Sequence, residues 1–388
     1  MNNERIEELG SYVKGLSRNE NTRELYDNYA TQLALITPQE AVEVFYRQLQ
    51  QGSSPSEILV FLDKVLHVFH AGLSHYEWKK PEAGSFIAVL MLENEALKEK
   101  LTQLKVLIKQ QSFNKSRIEM THSFSELKSF NDHYIKIENI LFPMLELKAK
   151  RFEGLKIMWA LHDQIRVSLD KVLSLLNNEI IDTPTLNTEI GKFYFLVYGC
   201  IDKEELILFP CASEILTLNE QRSMLDQSFD YTFPFVDVPT KPIPKEVDAS
   251  ILTGLFTTNT GSLDFTQLEA LFDVLPIDLT LIDENNKVRY FTRPKERIFP
   301  RSPSIIGRDV ENCHPPDSVA VVLKIIDAFK NGDKDNASFW IQMNGKFIHI
   351  QYFALRSSKG EYLGTLEVSQ NITDLRKLEG QKRLLEWE

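Results

Sequence analysis

Two stretches of the sequence repeat a helical turn that carries candidate metal ligands. Residues 133–143 read HYIKIENILFP and residues 200–210 read CIDKEELILFP, so Glu138 aligns with Glu205. His133 and Glu138 are five positions apart, slightly more than one helical turn, and both side chains can therefore face one side of a helix. Imidazole and carboxylate groups together suit iron. The second copy has cysteine where the first has histidine, which predicts a partly dismantled site.

Two further segments add candidate ligands. WALHDQIR at 159–166 contains His162, and the second repeat contains the adjacent acids Glu204 and Glu205. Neighbouring residues on a helix point to different faces, so these two acids are not a catalytic pair. His122 lies on nearly the same face as His133 and is an alternative ligand. The candidate metal set is His133, Glu138, His162, Glu204 and Glu205. The alternative interpretation is that these are satisfied polar residues of a helical core and that LFP is a packing motif.

The elements that must position these residues are helical as far as about residue 225. Apolar residues recur three and four positions apart, and TPQE at 37–40 and SPSE at 54–57 have the pattern of helix starts. We predict a small helical domain over 1–75 and a four-helix bundle over 80–225. The predicted bundle helices span 83–111, 116–150, 155–178 and 185–218.

A proline-rich segment at 226–263 predicts a linker. After it, the spacing of apolar residues changes from helical to strand-like. DLTLIDENNKVRYFT predicts two strands, and ASFWIQMNGKFIHIQYFALRSSKGEYLGTLEVSQNIT predicts three strands with a hairpin turn at Asn344-Gly345. SVAVVLKIIDAFKNG between them predicts a helix that ends at Gly332. The fold class is therefore multidomain: an all-α N-terminal part, then an α+β domain over 264–388 with a terminal helix in LRKLEGQKRLLEWE.

Composition narrows the class of partner. The 388 residues include 43% hydrophobic and 26% charged residues, as in ordinary globular proteins, and the net charge is −11. This charge argues against nucleic acid or an anionic membrane as partner. The charged N-terminus is unlike a secretory signal, and three cysteines without framework spacing fit a reducing compartment. We expect a cytoplasmic protein.

The bundle segment resembles the hemerythrin-like (HHE) cation-binding family. HYIKIENILFP and WALHDQIR are similar to its second and third helices, and CIDKEELILFP takes the place of the fourth. The resemblance implies a non-haem di-iron site built from inward-facing histidines and carboxylates, with iron as cofactor. The sequence departs from that pattern: no histidine lies between 76 and 121, position 166 is arginine, and position 200 is cysteine. The expected site is degenerate.

Residues from about 265 onward resemble a PAS sensory domain. LPIDLTLID, IIGRDV and NITDLRKLE carry the resemblance, with Asn371 in place of the usual aspartate. It implies an apolar ligand pocket, which we expect to include Leu279, Leu281, Ile306, Val310, Ile325, Phe339 and Ile350. Cys313 and His314 lie where a PAS domain can hold haem or flavin. In the alternative interpretation, HPPDS only caps the following helix through Asp317 or Ser318.

The order of the three parts is similar to an uncharacterised bacterial and archaeal family of sensory-box proteins. It implies a sensory or signalling protein in which the PAS domain senses a small ligand or mediates dimerisation. We expect a homodimer formed through the PAS domain and its flanking helices, and an unknown downstream partner. The alternative is a non-haem iron protein that binds oxygen, nitric oxide or iron through the bundle. No nucleophile–base pair, phosphate loop or zinc-spaced cysteine set is present in the sequence, so we do not expect an enzyme.

Overall fold

The computed structural model describes residues 3–18, 20–110, 113–178, 182–241, 255–258 and 260–381. The chain divides into two compact units: residues 1–243 with 302–304, and residues 244–301 with 305–388. The first unit is helical and the second contains an antiparallel sheet. The predicted fold class is thus confirmed. Among the described helices, none has the length and apolarity that crossing a bilayer requires.

Four helices precede the bundle and pack in the same unit. Proline at the first helical turn follows Thr37 and Ser54, and each of these residues closes a capping box with the glutamate three positions later. Both predicted helix starts are confirmed. Their shared core includes Ile157 of the bundle, so these helices bury their apolar faces partly against it. The four helices are Asn3–Ser17, Thr22–Ala34, Pro38–Gln50 and Pro55–Ser74.

The bundle contains the four predicted helical segments, followed by Leu218–Ser228. The first helix is Phe86–Gln110 and the third is Lys156–Asn177. The second and fourth helices consist of consecutive pieces. The second comprises Phe113–Glu126, Leu127–Phe130, Asn131–Lys136, Ile137–Leu141 and Phe142–Lys148, and the fourth comprises Thr183–Lys203, Glu204–Leu208 and Phe209–Ile215.

The two sequence repeats form the same local structure, a π-helical turn followed by a proline. The amide of Phe142 donates to the carbonyl of Ile137, and the amide of Phe209 donates to that of Glu204. The next residue in each copy is a proline, which has no N–H and so cannot continue the usual hydrogen-bond ladder. A π-helical turn shifts the direction of the side chains within it. The repeat therefore places a widened turn beside the candidate ligands of both helices.

The second unit contains a two-stranded hairpin and a five-stranded antiparallel sheet. Residues 255–258 and 261–263 of the predicted linker belong to the hairpin strands, whereas 242–254 and 259 lie outside the described residues. The sheet order is β4-β3-β7-β6-β5. Its helices are Phe265–Val274 and Pro316–Lys330. The strands are β1 Leu255–Thr258, β2 Gly261–Asp264, β3 Asp278–Asp283, β4 Val288–Phe291, β5 Asn336–Met343, β6 Lys346–Arg356 and β7 Tyr362–Asn371.

Local predictions in this unit have mixed outcomes. The turn at Asn344-Gly345 is confirmed, since both residues have positive φ, as a type I′ turn requires. The predicted cap at Asp317 or Ser318 is wrong, because the helix begins at Pro316 and its N-cap is Pro315. Of the expected terminal helix, Leu375–Lys377 forms a short 3₁₀ turn and residues 382–388 lie outside the described part.

Gly364 tests how closely β3 and β7 approach. Its φ is +146°, and an added Cβ would overlap the backbone carbonyl oxygen of Ile282. We expect Gly364→Ala to destabilise the sheet by more than the roughly 1–3 kcal/mol of a strained backbone alone. Hydrogen exchange of the β3 and β7 amides in the full chain would measure this. Gly345→Ala is the matched control, because Gly345 has positive φ but open space around its Cβ position. Equal losses in the two variants would contradict the proposed overlap.

Candidate functional site

The core of the bundle contains a cluster of ionisable side chains around the Glu204 carboxylate. Glu204 Oε2 accepts from Asn94 Nδ2 at 2.8 Å and lies 3.2 Å from His133 Nε2. Glu204 Oε1 lies 3.5 Å from Cys200 Sγ and 3.8 Å from His162 Nε2. All five side chains are fully buried. One carboxylate thus brings together groups from all four helices of the bundle.

His133 bridges two carboxylates. Its Nδ1 lies 2.7 Å from Glu93 Oε2, while its Nε2 faces Glu204. Burial lowers the pKa of His133, but the neighbouring Glu204 and Glu93 carboxylates outweigh burial and raise it. Burial alone would raise the pKa of Glu204, but His133 and His162 hold it at about 2. The two carboxylates therefore favour the protonated ring, in which both nitrogens can donate.

Lys136 is a fixed cation in the same core. Its ammonium donates to Glu93 Oε1 and, at 2.9 Å, to the carbonyl oxygen of Thr232. The ammonium also lies 4.4 Å from the centre of the Phe233 ring. Burial lowers the pKa of Lys136, and the Glu93 carboxylate offsets part of that effect. Glu93 is consequently neutralised by a protein side chain.

Glu138 has a second fixed cation beside it. Arg166 Nη2 donates to both oxygens of the Glu138 carboxylate, at 2.8 and 3.0 Å. His162 Nδ1 also lies 2.8 Å from Glu138 Oε1. Burial raises the pKa of Glu138, but Arg166 and His162 outweigh burial and lower it. The remaining nitrogen, His162 Nε2, is buried and has no hydrogen-bond partner in the described part of the chain.

Four of the five predicted metal-site residues lie in this cluster: His133, Glu138, His162 and Glu204. Glu205 does not, because it is on a different helix face, where both its oxygens accept from Lys98 Nζ at 2.8 Å. His122 is exposed and pairs with Glu126 instead.

Sequence reasoning missed Glu93, Asn94 and Lys136, and treated Cys200 only as a lost histidine. A usable signal was present, since Glu93-Asn94-Glu95 interrupts the otherwise apolar helix start FIAVLMLENEAL.

The sheet of the second unit has an unexpectedly polar inner face. Register pairs Asp278 with Ser369 and Thr280 with Glu367, and all four side chains are buried on one face. Ile282, next in this alternation on β3, belongs to the apolar cluster beneath the sheet. The buried face is therefore apolar at one end of β3 and polar at the other.

Arg301 connects the two acids of this polar face. Its Nη2 lies 3.1 Å from Glu367 Oε1, and its Nη1 lies 3.5 Å from Asp278 Oδ2. Burial lowers the pKa of Arg301, but the two carboxylates outweigh burial and raise it. Burial lowers the pKa of His314, whose ring interacts with Glu367 and Arg301. Asp278 Oδ1 and Thr280 Oγ1 are buried and lack hydrogen-bond partners among the described residues.

The residues expected to line an apolar pocket do not all lie on this polar face of the sheet. Leu281 lies on the opposite side of the sheet from Thr280, because side chains alternate along a strand. Ile306 is 42% exposed. Phe339 and Ile350 pair across β5 and β6 on the same face as Ser369, although Phe339 is partly exposed. The Cys313 thiol donates to the carbonyl oxygen of Asp309 at 3.5 Å.

Comparison with protein families identifies two matches. Residues 85–212 match the family described as the Hemerythrin HHE cation binding domain, and residues 268–373 match a PAS domain. A comparison with curated proteins found no significant match. The two expected domain resemblances are confirmed.

Several solved structures are similar to part of the chain. A C-terminal domain from Streptococcus mutans is 30% identical, with 33% of this chain and 98% of that chain covered and a TM-score of 0.31. The PAS domain of a protein from Colwellia psychrerythraea is 17% identical over 28% of this chain and 97% of that chain, with a TM-score of 0.23. A sensory box sensor histidine kinase from Vibrio cholerae is 12% identical over 27% of this chain and 89% of that chain, with a TM-score of 0.22.

A substitution at Lys136 tests whether the charges of the bundle core must be balanced. Replacement by methionine leaves Glu93 without its cation, so we expect Lys136→Met to cost about 3–5 kcal/mol of unfolding free energy. Urea unfolding followed by circular dichroism would measure this. Lys98→Met, which removes a half-buried pair with Glu205, should cost less than about 1 kcal/mol. The double variant Lys136→Met/Glu93→Leu should recover much of the loss. Equal effects of the two single variants would contradict this account.

Proposed function

We propose that this chain, which carries a hemerythrin HHE cation binding domain and a PAS domain, is a cytoplasmic sensory protein whose PAS core binds a small ligand. The proposed role is binding rather than catalysis. The observation that supports it is the pair of buried oxygens without partners, Asp278 Oδ1 and Thr280 Oγ1. A buried polar atom without a partner costs free energy, and a ligand that supplies hydrogen bonds recovers it.

The charges of this face favour a cationic ligand. Among the described residues, one guanidinium, that of Arg301, faces the two carboxylates, so this described cluster has excess negative charge when both acids are ionised. Asp278 Oδ2 already accepts from the backbone amides of Ile298 and Phe299, whereas Oδ1 accepts nothing among the described residues. An ammonium group on the ligand would both donate to Asp278 Oδ1 and balance the charge.

Aromatic rings beside the acids support the same ligand class. Tyr352 pairs with Glu367 across β6 and β7, and its ring packs edge-on against Phe339 at 6.2 Å between centroids. Aromatic faces attract cations and pack against apolar groups. The proposed ligand is accordingly a small amine with an apolar or aromatic body.

We also propose that the PAS domain pairs with a second copy of this chain through β5. This strand is an edge of the sheet, and it exposes Phe339, Trp340 and Ile341. An exposed apolar edge strand is a template for pairing with another strand. Trp340, which is 66% exposed, would lose most apolar surface to such a partner.

The alternative function is a non-haem metal protein that acts through the bundle. The buried His162 Nε2 without a hydrogen-bond partner supports it. This function is compatible with a sensory role of the PAS domain.

Thermal-shift measurements on the full chain test the PAS ligand proposal. The probes are agmatine and histamine as hydrochlorides, with sodium acetate and succinate compared at equal ionic strength. We expect the amines to raise the melting temperature and the carboxylates to leave it unchanged. Asp278→Asn should abolish the amine effect because it removes the anionic acceptor.

Asp283→Asn is the matched control, because Asp283 lies on the same strand but its carboxylate accepts from the turn amides of Asn285 and Lys287. This variant should retain the amine effect. The proposed ligand class is rejected if the carboxylates raise the melting temperature or if neither probe class does. It is also rejected if the amines stabilise Asp278→Asn as much as the unaltered protein.

Sedimentation equilibrium of the full chain tests the pairing through β5. We expect a dimer for the unaltered protein and a shift toward monomer for Trp340→Glu, because a charge at the centre of the interface must lose its water. Leu363→Glu changes a comparably exposed apolar residue on β7 and should leave the dimer intact. A monomeric unaltered protein, or a dimer that resists Trp340→Glu, would refute pairing through this strand.

A further inference from the structure

We infer that the bundle core binds a single divalent first-row metal ion through Cys200, His162 and Glu204. One donor atom from each of these buried side chains lies within 4.8 Å of the others. The inference concerns the helical unit alone and does not depend on what the PAS core binds.

His162 has the environment of a metal-ligating imidazole. Its Nδ1 is held by the Glu138 carboxylate at 2.8 Å, and the ring stacks on Tyr134 at 4.5 Å between centroids. The opposite nitrogen, Nε2, is fully buried without a hydrogen-bond partner among the described residues. Ligating histidines typically donate their second ring nitrogen to a carboxylate, which fixes the orientation of the ring. Glu138 therefore acts as a positioning residue for His162.

The distances from Glu204 Oε1 to the other two donor atoms fit one tetrahedral ion. Metal bonds of about 2.0–2.3 Å at tetrahedral angles place neighbouring donors roughly 3.3–3.8 Å apart. Glu204 Oε1 lies 3.5 Å from Cys200 Sγ and 3.8 Å from His162 Nε2. The Glu204 oxygen is thus at coordination spacing from both partners before any ion enters.

Among the described residues, the remaining polar groups of the core leave no second site of this kind. Glu93 and Glu138 are paired with the fixed cations Lys136 and Arg166. Both ring nitrogens of His133 face carboxylates. A second ion would have to displace an ammonium or a guanidinium that already neutralises its carboxylate. A di-iron pair therefore does not fit these residues, whereas one ion does.

The donor set indicates the class of ion. Thiolate, imidazole and carboxylate together suit zinc, iron(II) or cobalt(II), and a thiolate disfavours magnesium and calcium. Three protein donors also leave a fourth position for a small molecule.

Cobalt(II) loading of the full chain, purified without a histidine tag and stripped of metal, tests this inference. We expect one cobalt per chain by elemental analysis, with a thiolate-to-cobalt charge-transfer band and the intense visible bands of tetrahedral cobalt. Cys200→Ser should remove the charge-transfer band. Glu138→Gln should weaken cobalt binding by about 10–100-fold while the band persists at saturation, because it weakens the positioning of His162 without removing any of the three ligands.

Cys211→Ser is the matched control. Cys211 is equally buried and directly follows the second repeat, but it is not part of the described cluster of His162, Cys200 and Glu204. This variant should keep the complete spectrum. The inference is overturned if the correctly folded, unaltered protein binds two cobalt ions per chain or no cobalt. It is also overturned if one cobalt ion binds without the thiolate charge-transfer band. Since the unaltered protein alone decides stoichiometry and thiolate ligation, a folding defect in Cys200→Ser would not obscure the result.

Discussion

The contacts of the Glu204 carboxylate tie the bundle together. Asn94, His133 and His162 reach it from the other three helices, and Cys200 reaches it from one turn earlier on its own helix. A carboxylate buried in an apolar core is costly unless it is paired and hydrogen-bonded. The four helices must therefore keep the positions that satisfy it. Packing of the surrounding apolar side chains provides most of the stability, and this carboxylate constrains how the helices align.

The buried acids of the two units are balanced to different degrees. In the bundle, Glu93 and Glu138 each have a cation of their own, Lys136 and Arg166. In the PAS sheet, Arg301 faces both Asp278 and Glu367, so the two acids share one cation among the described residues. The described acids of the bundle core thus each have a basic partner, with His133 beside Glu204, and the unmet hydrogen-bonding capacity there includes His162 Nε2. The PAS face has unmet hydrogen-bonding capacity at Asp278 Oδ1 and Thr280 Oγ1. Ligand binding is proposed at both places where hydrogen-bonding capacity is unmet.

The repeated helical turn shows how one sequence pattern can yield two environments. Both copies form a π-helical turn before their proline, since the backbone constraint is the same. The aligned acids nevertheless differ: Glu138 lies in the core beside His162, and Glu205 lies at the surface with Lys98. The position of each copy relative to its neighbouring helices causes the difference, and alignment of the two copies does not reveal it.

The sequence by itself determined the elements and their order, because helical and strand periodicity, caps and turns are local properties. It also supplied His133, Glu138, His162 and Glu204, which the resemblance to the hemerythrin-like family brought to notice. Only the tertiary structure decided their partners, since Glu93 and Asn94 come from the first helix, which is distant in the chain from His133 and Glu204. The same holds for the polar PAS face, which sheet register creates from β3 and β7. Charge pairing and register depend on contacts between distant segments, and no local pattern encodes them.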